Sequence, residues 1–184
     1  SPGNEWLLLS ASMDWTCRLW NLRSRTQIAI FGGHEGHRDS VYTLSWHVSG
    51  ERFASGGNDR SVKIWELSER VRDAIRASID AADQLERDET VEELAVIGNS
   101  MEQFPIFSSK KAHVHCVDCV AFIGDLLSTK STEGKIRLWL PVLEQTRTAL
   151  GTLPKPPPCE LRLLRTLEYE DSDVYFLRFA FDAK

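Results

Sequence analysis

The sequence lacks any long hydrophobic run. No apolar stretch approaches the roughly 18 consecutive residues that a membrane-spanning helix requires, so we expect no contact with a membrane. Cysteine is also scarce, because four cysteines at irregular spacing (Cys17, Cys116, Cys119 and Cys159) do not make a disulfide framework. These absences favour a globular protein of a reducing compartment.

The sequence also has no run of positive charge. The net charge is −5 and the longest basic pair is Lys110-Lys111, so no basic stripe is available to neutralise nucleic-acid phosphates. The acidity is local: residues 66–102 hold eleven carboxylates and four arginines, which leaves −7 on that segment and +2 on the remainder. We therefore expect no direct binding to nucleic acid.

What the sequence does contain is a repeat built around tryptophan. Three segments align on it: LLLSASMDWTCRLWNL (7–22), RFASGGNDRSVKIWEL (52–67) and LLSTKSTEGKIRLWLP (126–141). In each segment an acidic residue stands six places before the tryptophan, a hydroxyl residue stands four places before the acid, and a histidine precedes the second and third segments. The members of these three sets are Ser10, Asp14 and Trp20; His37, Ser55, Asp59 and Trp65; and His113, Thr129, Glu133 and Trp139.

The residue types in these sets predict a buried hydrogen-bond network. A histidine can donate to the acid and accept from the hydroxyl, beside which the indole N–H lies, and buried polar groups must pair with one another. The 45 residues between Trp20 and Trp65 are typical of one blade of a WD-repeat propeller. The 74 residues between Trp65 and Trp139 equal one such period plus an insertion. We therefore expect these residues to be structural and not catalytic.

The sequence thus predicts an all-β fold, a WD-repeat β-propeller that is incomplete in this chain, with about three of seven blades and a helical insertion. Ser68 is the expected N-cap of a first helix, and Thr90-Val91-Glu92-Glu93 forms a capping box for a second. The insertion is either a solvated excursion or a docking surface for a partner. The expected divisions are the C-terminal part of a blade (1–30), a blade (31–67), the acidic helical insertion (68–103), a blade (104–141), a proline-containing connection (142–168) and the first strand of a further blade (169–184).

One segment, HVHCVDC (113–119), has the composition of a metal site. In a strand, Cys116 and Cys119 would point to opposite faces because their separation is odd, and His113 already belongs to the repeat. An enzyme that used His113, Cys116 and Asp118 would need these three side chains to converge on one point. Side chains that alternate between the two faces of a strand do not converge in this way. We therefore expect no metal, no cofactor and no catalytic residue.

Longer stretches carry a more specific resemblance. They are CRLWNLRSRTQIAIFGGHEGHRDSV (17–41), FPIFSSKKAHVHCVDCVAFIGDLLSTKS (104–131) and DVYFLRF (173–179). In motif and order they are similar to the WD-repeat subunit of Polycomb repressive complex 2, the EED or extra sex combs family. The resemblance covers nearly the whole chain, and it is weakest in the insertion and in 142–168.

The resemblance implies a non-catalytic chromatin reader and scaffold in the nucleus. The implied partners are the catalytic subunit of a histone methyltransferase complex, other Polycomb subunits, and repressive histone tails whose trimethyl-lysine an aromatic cage binds. The resemblance of DVYFLRF (173–179) to the family's last motif implies that Tyr175 and Phe176 are two aromatic residues of the cage. The family more often has Trp and Tyr at these positions. Met13 stands where a lysine is common in the family. The alternative is a WD-repeat scaffold of another assembly, such as a ubiquitin ligase.

Internal alignment adds candidates at the mouth of the central channel. Tyr42, Asp118 and Tyr175 each follow the reference valine of their repeat by one place, so we expect equivalent positions for them. We expect Tyr42 and Asp118 to contact the histone peptide at the rim, and Arg178 to brace Tyr175. Neighbours in a strand point to opposite faces, so Tyr175 and Phe176 can both line a cage only where the strand start is irregular. Otherwise one of the two aromatic residues belongs to the core.

Overall fold

The structure is a computed structural model, and it describes residues 1–85, 100–142 and 160–169. Within these ranges the chain forms β-strands and one α-helix. In chain order they are β1 (Leu7–Ala11), β2 (Cys17–Asn21), β3 (Thr26–Phe31), β4 (Val41–Trp46), β5 (Arg52–Gly57), β6 (Val62–Glu66), α1 (Glu69–Leu85), β7 (Ser100–Glu102), β8 (Phe107–Ser109), β9 (Val117–Ile123), β10 (Leu126–Ser131), β11 (Lys135–Val142) and β12 (Glu160–Glu168).

The strands form three four-stranded sheets. The first has the order β1-β2-β3-β7, the second β4-β5-β6-β8 and the third β9-β10-β11-β12. Neighbouring strands are antiparallel, except that β7 runs parallel to β3, with Ala29 opposite Ser100. The predicted all-β architecture of repeated WD-type sheets is confirmed.

The core lies between consecutive sheets. Phe31 of the first sheet meets Phe53 of the second edge-to-face, with ring centroids 4.8 Å apart, and Trp65 stacks on Phe53 at 6.3 Å. Between the second and third sheets, Ile64 and Val117 belong to one fully buried apolar cluster. Because each sheet buries a face against the next, the three sheets stack in chain order.

The tight turn that follows each acidic residue of the repeat has one backbone geometry. Trp15, Arg60 and Gly134 each come directly after the acid, and their φ angles are 73°, 64° and 72°. This left-handed region costs a non-glycine residue roughly 1–2 kcal/mol. The sequence repeat therefore extends to the backbone of the hairpin turns.

Helix α1 begins after Ser68, as expected, because the Ser68 hydroxyl accepts a hydrogen bond of 3.3 Å from the Val71 N–H. The helix packs on β2 and β3 with Val71, Ser78 and Ala82 buried, and Asn21 donates to the Ser78 hydroxyl over 2.8 Å. The second expected helix lies outside the described residues. Within the described ranges, no helix has the length and apolar character needed to cross a membrane.

The predicted division of the chain into blades, insertion and connection needs correction at the outer strands of the three sheets. Residues 160–168, expected to be part of a connection, form β12 and pair with β11 from Glu160–Val142 to Glu168–Lys135. Strand β8, expected in the third blade, pairs with β6 of the second sheet, and β7 of the insertion joins the first. The physical reason for β8 and β12 is that each comes after the tryptophan strand of its own sheet, so a sequence repeat and a sheet are offset by one strand. Strand β7 instead comes from the end of the insertion and adds to the first sheet beside β3.

Candidate functional site

The structure brings the second repeat set together as a buried network. His37 Nδ1 lies 3.0 Å from the Asp59 carboxylate, His37 Nε2 lies 2.7 Å from the Ser55 hydroxyl, and the Trp65 indole N–H donates to that hydroxyl over 3.0 Å. Burial alone would raise the pKa of Asp59, but the hydrogen bond and charge of His37, with the Ser61 hydroxyl, hold it well below its ordinary value. Asp59 is therefore ionised, and its role is structural.

The third sheet repeats the arrangement with other residue types. His113 contacts Glu133 through Nδ1 and lies 2.7 Å from the Thr129 hydroxyl through Nε2, and the Trp139 N–H donates to Thr129 over 2.8 Å. The Arg137 guanidinium lies 3.0 Å from the Glu133 carboxylate. Burial lowers the pKa of His113 below its ordinary value, although the hydrogen bond and charge of Glu133 act in the opposite direction. A longer acid therefore replaces aspartate without loss of the network.

The first hairpin contains only part of this arrangement in the described residues. The Trp20 N–H donates to the Ser10 hydroxyl over 2.9 Å. Asp14 accepts instead from the Thr16 hydroxyl over 2.6 Å and contacts Arg18 at 2.5 Å. Ser10 and Trp20 are thus hydrogen-bonded to each other, whereas the Asp14 carboxylate binds residues of its own hairpin.

A cation stands two residues before each tryptophan, and the repeat described from the sequence did not include it. Lys63 is buried and donates from Nζ to the Glu35 carbonyl over 2.9 Å and to the Ser108 hydroxyl over 2.7 Å, while Arg137 contacts the Ala112 carbonyl. Burial lowers the pKa of Lys63. The constant spacing could have revealed the set, whose members are Arg18, Lys63 and Arg137.

Strands β4 and β9 both start with a β-bulge. Val41 pairs with Gly57 and Thr43 with Gly56, so Tyr42 is the additional residue of the first bulge. The register of β9 on β10 shifts in the same way, which makes Asp118 the additional residue of the second. A bulge changes the direction of its side chains. The equivalence expected for Tyr42 and Asp118 is therefore present in the backbone.

The side chain of Asp118 does not lie at an exposed rim. Asp118 is 0% exposed, and its carboxylate Oδ2 lies 2.7 Å from Nζ of Lys130, which is 3% exposed. Tyr42 is half-buried. The expectation of a peptide contact through Asp118 is therefore corrected, because the carboxylate is buried against a lysine of β10.

Comparison with known proteins agrees with this architecture. The WD40 family (WD domain, G-beta repeat) matches residues 1–21 and 25–66. Polycomb protein esc of Drosophila virilis is 34% identical over 182 residues, which cover 98% of this chain and 40% of that protein. The chain is a homologue of Polycomb protein esc. It spans about 40% of the length of that relative.

Two solved structures share the fold of this esc homologue. A humanized mutant of Chaetomium thermophilum Polycomb Repressive Complex 2 matches with a TM-score of 0.72 and 23% identity, covering 100% of this chain and 41% of that chain. A structure of ctPRC2 in complex with H3K27me3 matches with a TM-score of 0.69 and 24% identity, covering 98% and 39%. At these identities the likeness shows the fold alone.

The remaining predicted site residues of this esc homologue are placed as follows. Tyr175, Phe176 and Arg178 lie outside the described residues. Met13 is 81% exposed at the tip of the first hairpin. In the ranges 1–85, 100–142 and 160–169, no group of three or more His, Cys, Asp or Glu side chains could hold a metal ion.

Proposed function

We propose that this chain is part of the WD-repeat scaffold of a nuclear, Polycomb-type histone methyltransferase complex. The homology to Polycomb protein esc supports this assignment. The proposed partners are the methyltransferase subunit, other Polycomb subunits and a histone tail. A structural neighbour in complex with H3K27me3 is consistent with a methylated-histone ligand.

We further propose that the scaffold binds trimethyl-lysine through an aromatic cage that includes Tyr175 and Phe176. The bulges at Tyr42 and Asp118 carry this proposal, because Tyr175 holds the equivalent place in its repeat. An equivalent bulge would let two adjacent aromatic residues face one ligand, which a regular strand forbids. Arg178 braces Tyr175, and Tyr42 contacts the peptide at the rim.

Aromatic rings suit this ligand for an electrostatic reason. A trimethyl-ammonium group has no N–H to donate, so it is attracted to the negative faces of the rings, each worth about 0.5–2 kcal/mol. The polar residues of the repeat are engaged with one another, as in His37 with Asp59 and Ser55. Because these polar groups are hydrogen-bonded within the scaffold, they support a binding role for the protein and not a catalytic one.

A peptide titration on the complete protein tests the cage. Tyr175→Ala and Phe176→Ala should each weaken binding of a trimethyl-lysine histone peptide by about threefold to thirtyfold. Tyr175→Phe keeps the ring and is the matched control, for which we expect a change below about threefold. Unchanged affinity in both alanine variants would remove these residues from the site.

Co-purification tests the scaffold role separately. The tagged complete protein should retain a SET-domain methyltransferase from nuclear extract, and the cage variants should retain it equally. Recovery of a cullin-type ligase in its place would favour the alternative assembly.

A further inference from the structure

Lys63 is a buried cation that has no ion pair in the described part of the chain. In the first repeat the equivalent Arg18 contacts Asp14 at 2.5 Å. In the third repeat Arg137 lies 3.0 Å from Glu133. Lys63 is 4% exposed, and no carboxylate oxygen of the described residues lies within 4.0 Å of its ammonium. Because buried charges are normally paired, the second repeat holds an ammonium that lacks the counterion of its equivalents.

The hydroxyl of Ser108 lies against this ammonium. Lys63 of β6 and Ser108 of β8 are partners in the sheet register, and the Lys63 ammonium donates to the Ser108 hydroxyl over 2.7 Å. It also donates to the Glu35 carbonyl over 2.9 Å, so two of its three N–H groups are used. Ser108 itself is exposed. One hydroxyl therefore connects a buried cation with the solvent.

Two further cations strengthen the positive potential at Lys63. Burial lowers the pKa of the Lys63 ammonium, and the charges of the exposed residues Lys110 and Arg38 lower it further. The carboxylates of Asp59 and Glu35 act in the opposite direction, but both lie more than 4.0 Å from the ammonium. Because the pKa is lowered on balance, this part of the surface favours an additional negative charge.

We propose that Ser108 is a phosphorylation site whose phosphate binds Lys63, with Lys110 and Arg38 beside it. The Ser108 oxygen attacks the terminal phosphorus of ATP held by a protein kinase, the bond to the departing ADP breaks, and the hydroxyl proton passes to the base of the kinase. The product carries about −1.5 to −2 charges and three acceptor oxygens. Strand β8 has three residues and stands last in its sheet, so it opens locally at low cost and gives a kinase access to the hydroxyl.

The phosphate supplies the counterion that Lys63 lacks. Hydrogen bonds between an ammonium and a phosphate are charge-assisted and roughly twice as strong as neutral ones. They therefore hold β8 on β6 more firmly than the hydroxyl does, where three residue pairs join the two strands. Phosphorylation is in this way a switch that tightens the outer strand of the second sheet. The switch is independent of the proposed binding of trimethyl-lysine.

The test places a phosphate on either of two neighbouring serines of the full chain. Ser108→phosphoserine should raise Tm by about 2–6 °C and slow amide exchange in β8 by about threefold or more. Ser109→phosphoserine is the matched control, because it adds the same charge on the opposite face of the strand. We expect it to change Tm by less than about 1 °C. No rise in Tm at Ser108, or an equal rise at both serines, overturns the inference.

A second variant assigns the effect to the buried ammonium. Lys63→Met keeps a stem of similar length without the charge, and in this background the phosphate on Ser108 should raise Tm by less than half as much. An equal rise in both backgrounds contradicts binding to Lys63. If Lys63→Met does not fold, phosphorus NMR of the two phosphorylated proteins decides. The pKa of the second phosphate ionisation should be lower at Ser108 than at Ser109, because the cations favour the dianion, and equal values overturn the inference.

Phosphopeptide mapping judges the modification itself. The protein is isolated from its native cells in the presence of phosphatase inhibitors, and phosphate is expected on Ser108. Phosphate confined to other residues, or none at all, overturns Ser108 as a phosphorylation site. Peptide titration of the Tyr175 and Phe176 variants judges the proposed function separately.

Discussion

The indole N–H of Trp139 donates a hydrogen bond of 2.8 Å to the Thr129 hydroxyl, across the hairpin of β10 and β11. The hairpin register places Thr129 opposite Arg137, two residues before the tryptophan. Because the same tight turn sets this register in each repeat, the indole meets the hydroxyl each time. The other two pairs are Ser10–Trp20 and Ser55–Trp65.

Removal of the Thr129 hydroxyl should destabilise the protein. Thr129→Val keeps the shape but leaves the Trp139 N–H and His113 Nε2 buried without that partner, so the free energy of unfolding should fall by about 1–3 kcal/mol. Thr129→Ser keeps the hydroxyl and should lose less than about 1.5 kcal/mol. Urea unfolding measures both, and equal losses would contradict a role for the hydrogen bonds.

Acidification should destabilise the network of the third sheet in two windows. Burial lowers the pKa of His113, so the unfolded chain takes up a proton near its ordinary value of 6.5 before the folded protein does. Stability is then lost as pH falls from that value to the lowered pKa of the folded state. The free energy of unfolding, measured across this range, should lose its slope in His113→Gln.

The second window belongs to Glu133. Burial would raise its pKa, but the hydrogen bond and charge of His113 and the charge of Arg137 hold it below the ordinary 4.5. Stability is therefore present above that value and lost as pH falls through the folded pKa. Glu133→Gln should abolish this lower step, and persistence of the step would assign it to other carboxylates.

The cap of α1 should be detectable by amide exchange. Ser68→Ala removes the acceptor for the Val71 N–H and the donor to Glu102, so the helix should lose about 1 kcal/mol. Exchange in the first turn of Glu69–Leu85 should accelerate roughly fivefold. Ser68→Thr retains a hydroxyl and should exchange as wild type does. Equal exchange in the alanine variant would show that packing alone holds the helix.

The left-handed backbone of Arg60 should make glycine favourable there. Its φ is 64°, so Arg60→Gly should raise the free energy of unfolding by up to about 1 kcal/mol, and Arg60→Val should lower it by about 1–2 kcal/mol. Glu66, an exposed residue of β6, provides the control, because there valine should be the better replacement. The same order of stabilities at both positions would refute a backbone origin.

Local hairpins were predictable from the sequence because turn and register lie within about 16 residues. The spacing of Ser55 and Trp65 predicts their hydrogen bond, and Ser68 predicts the start of α1. Strand β12 was missed, since its leucines follow a proline-containing segment that reads as a loop. The parallel pairing of β7 with β3 joins segments about 70 residues apart, and no periodic pattern in the sequence predicts it.

The bond from the tryptophan indole to the hydroxyl follows from the sequence alone, because both residues stand at fixed spacing across one tight hairpin. The irregular starts of β4 and β9 became visible only in the folded chain. The bulges at Tyr42 and Asp118 form within the β4–β5 and β9–β10 pairs, and the Asp118–Lys130 pair is buried at the second of them. Burial is a property of neighbours that are distant in the chain, so a lysine that the sequence leaves undistinguished becomes the counterion of a buried carboxylate.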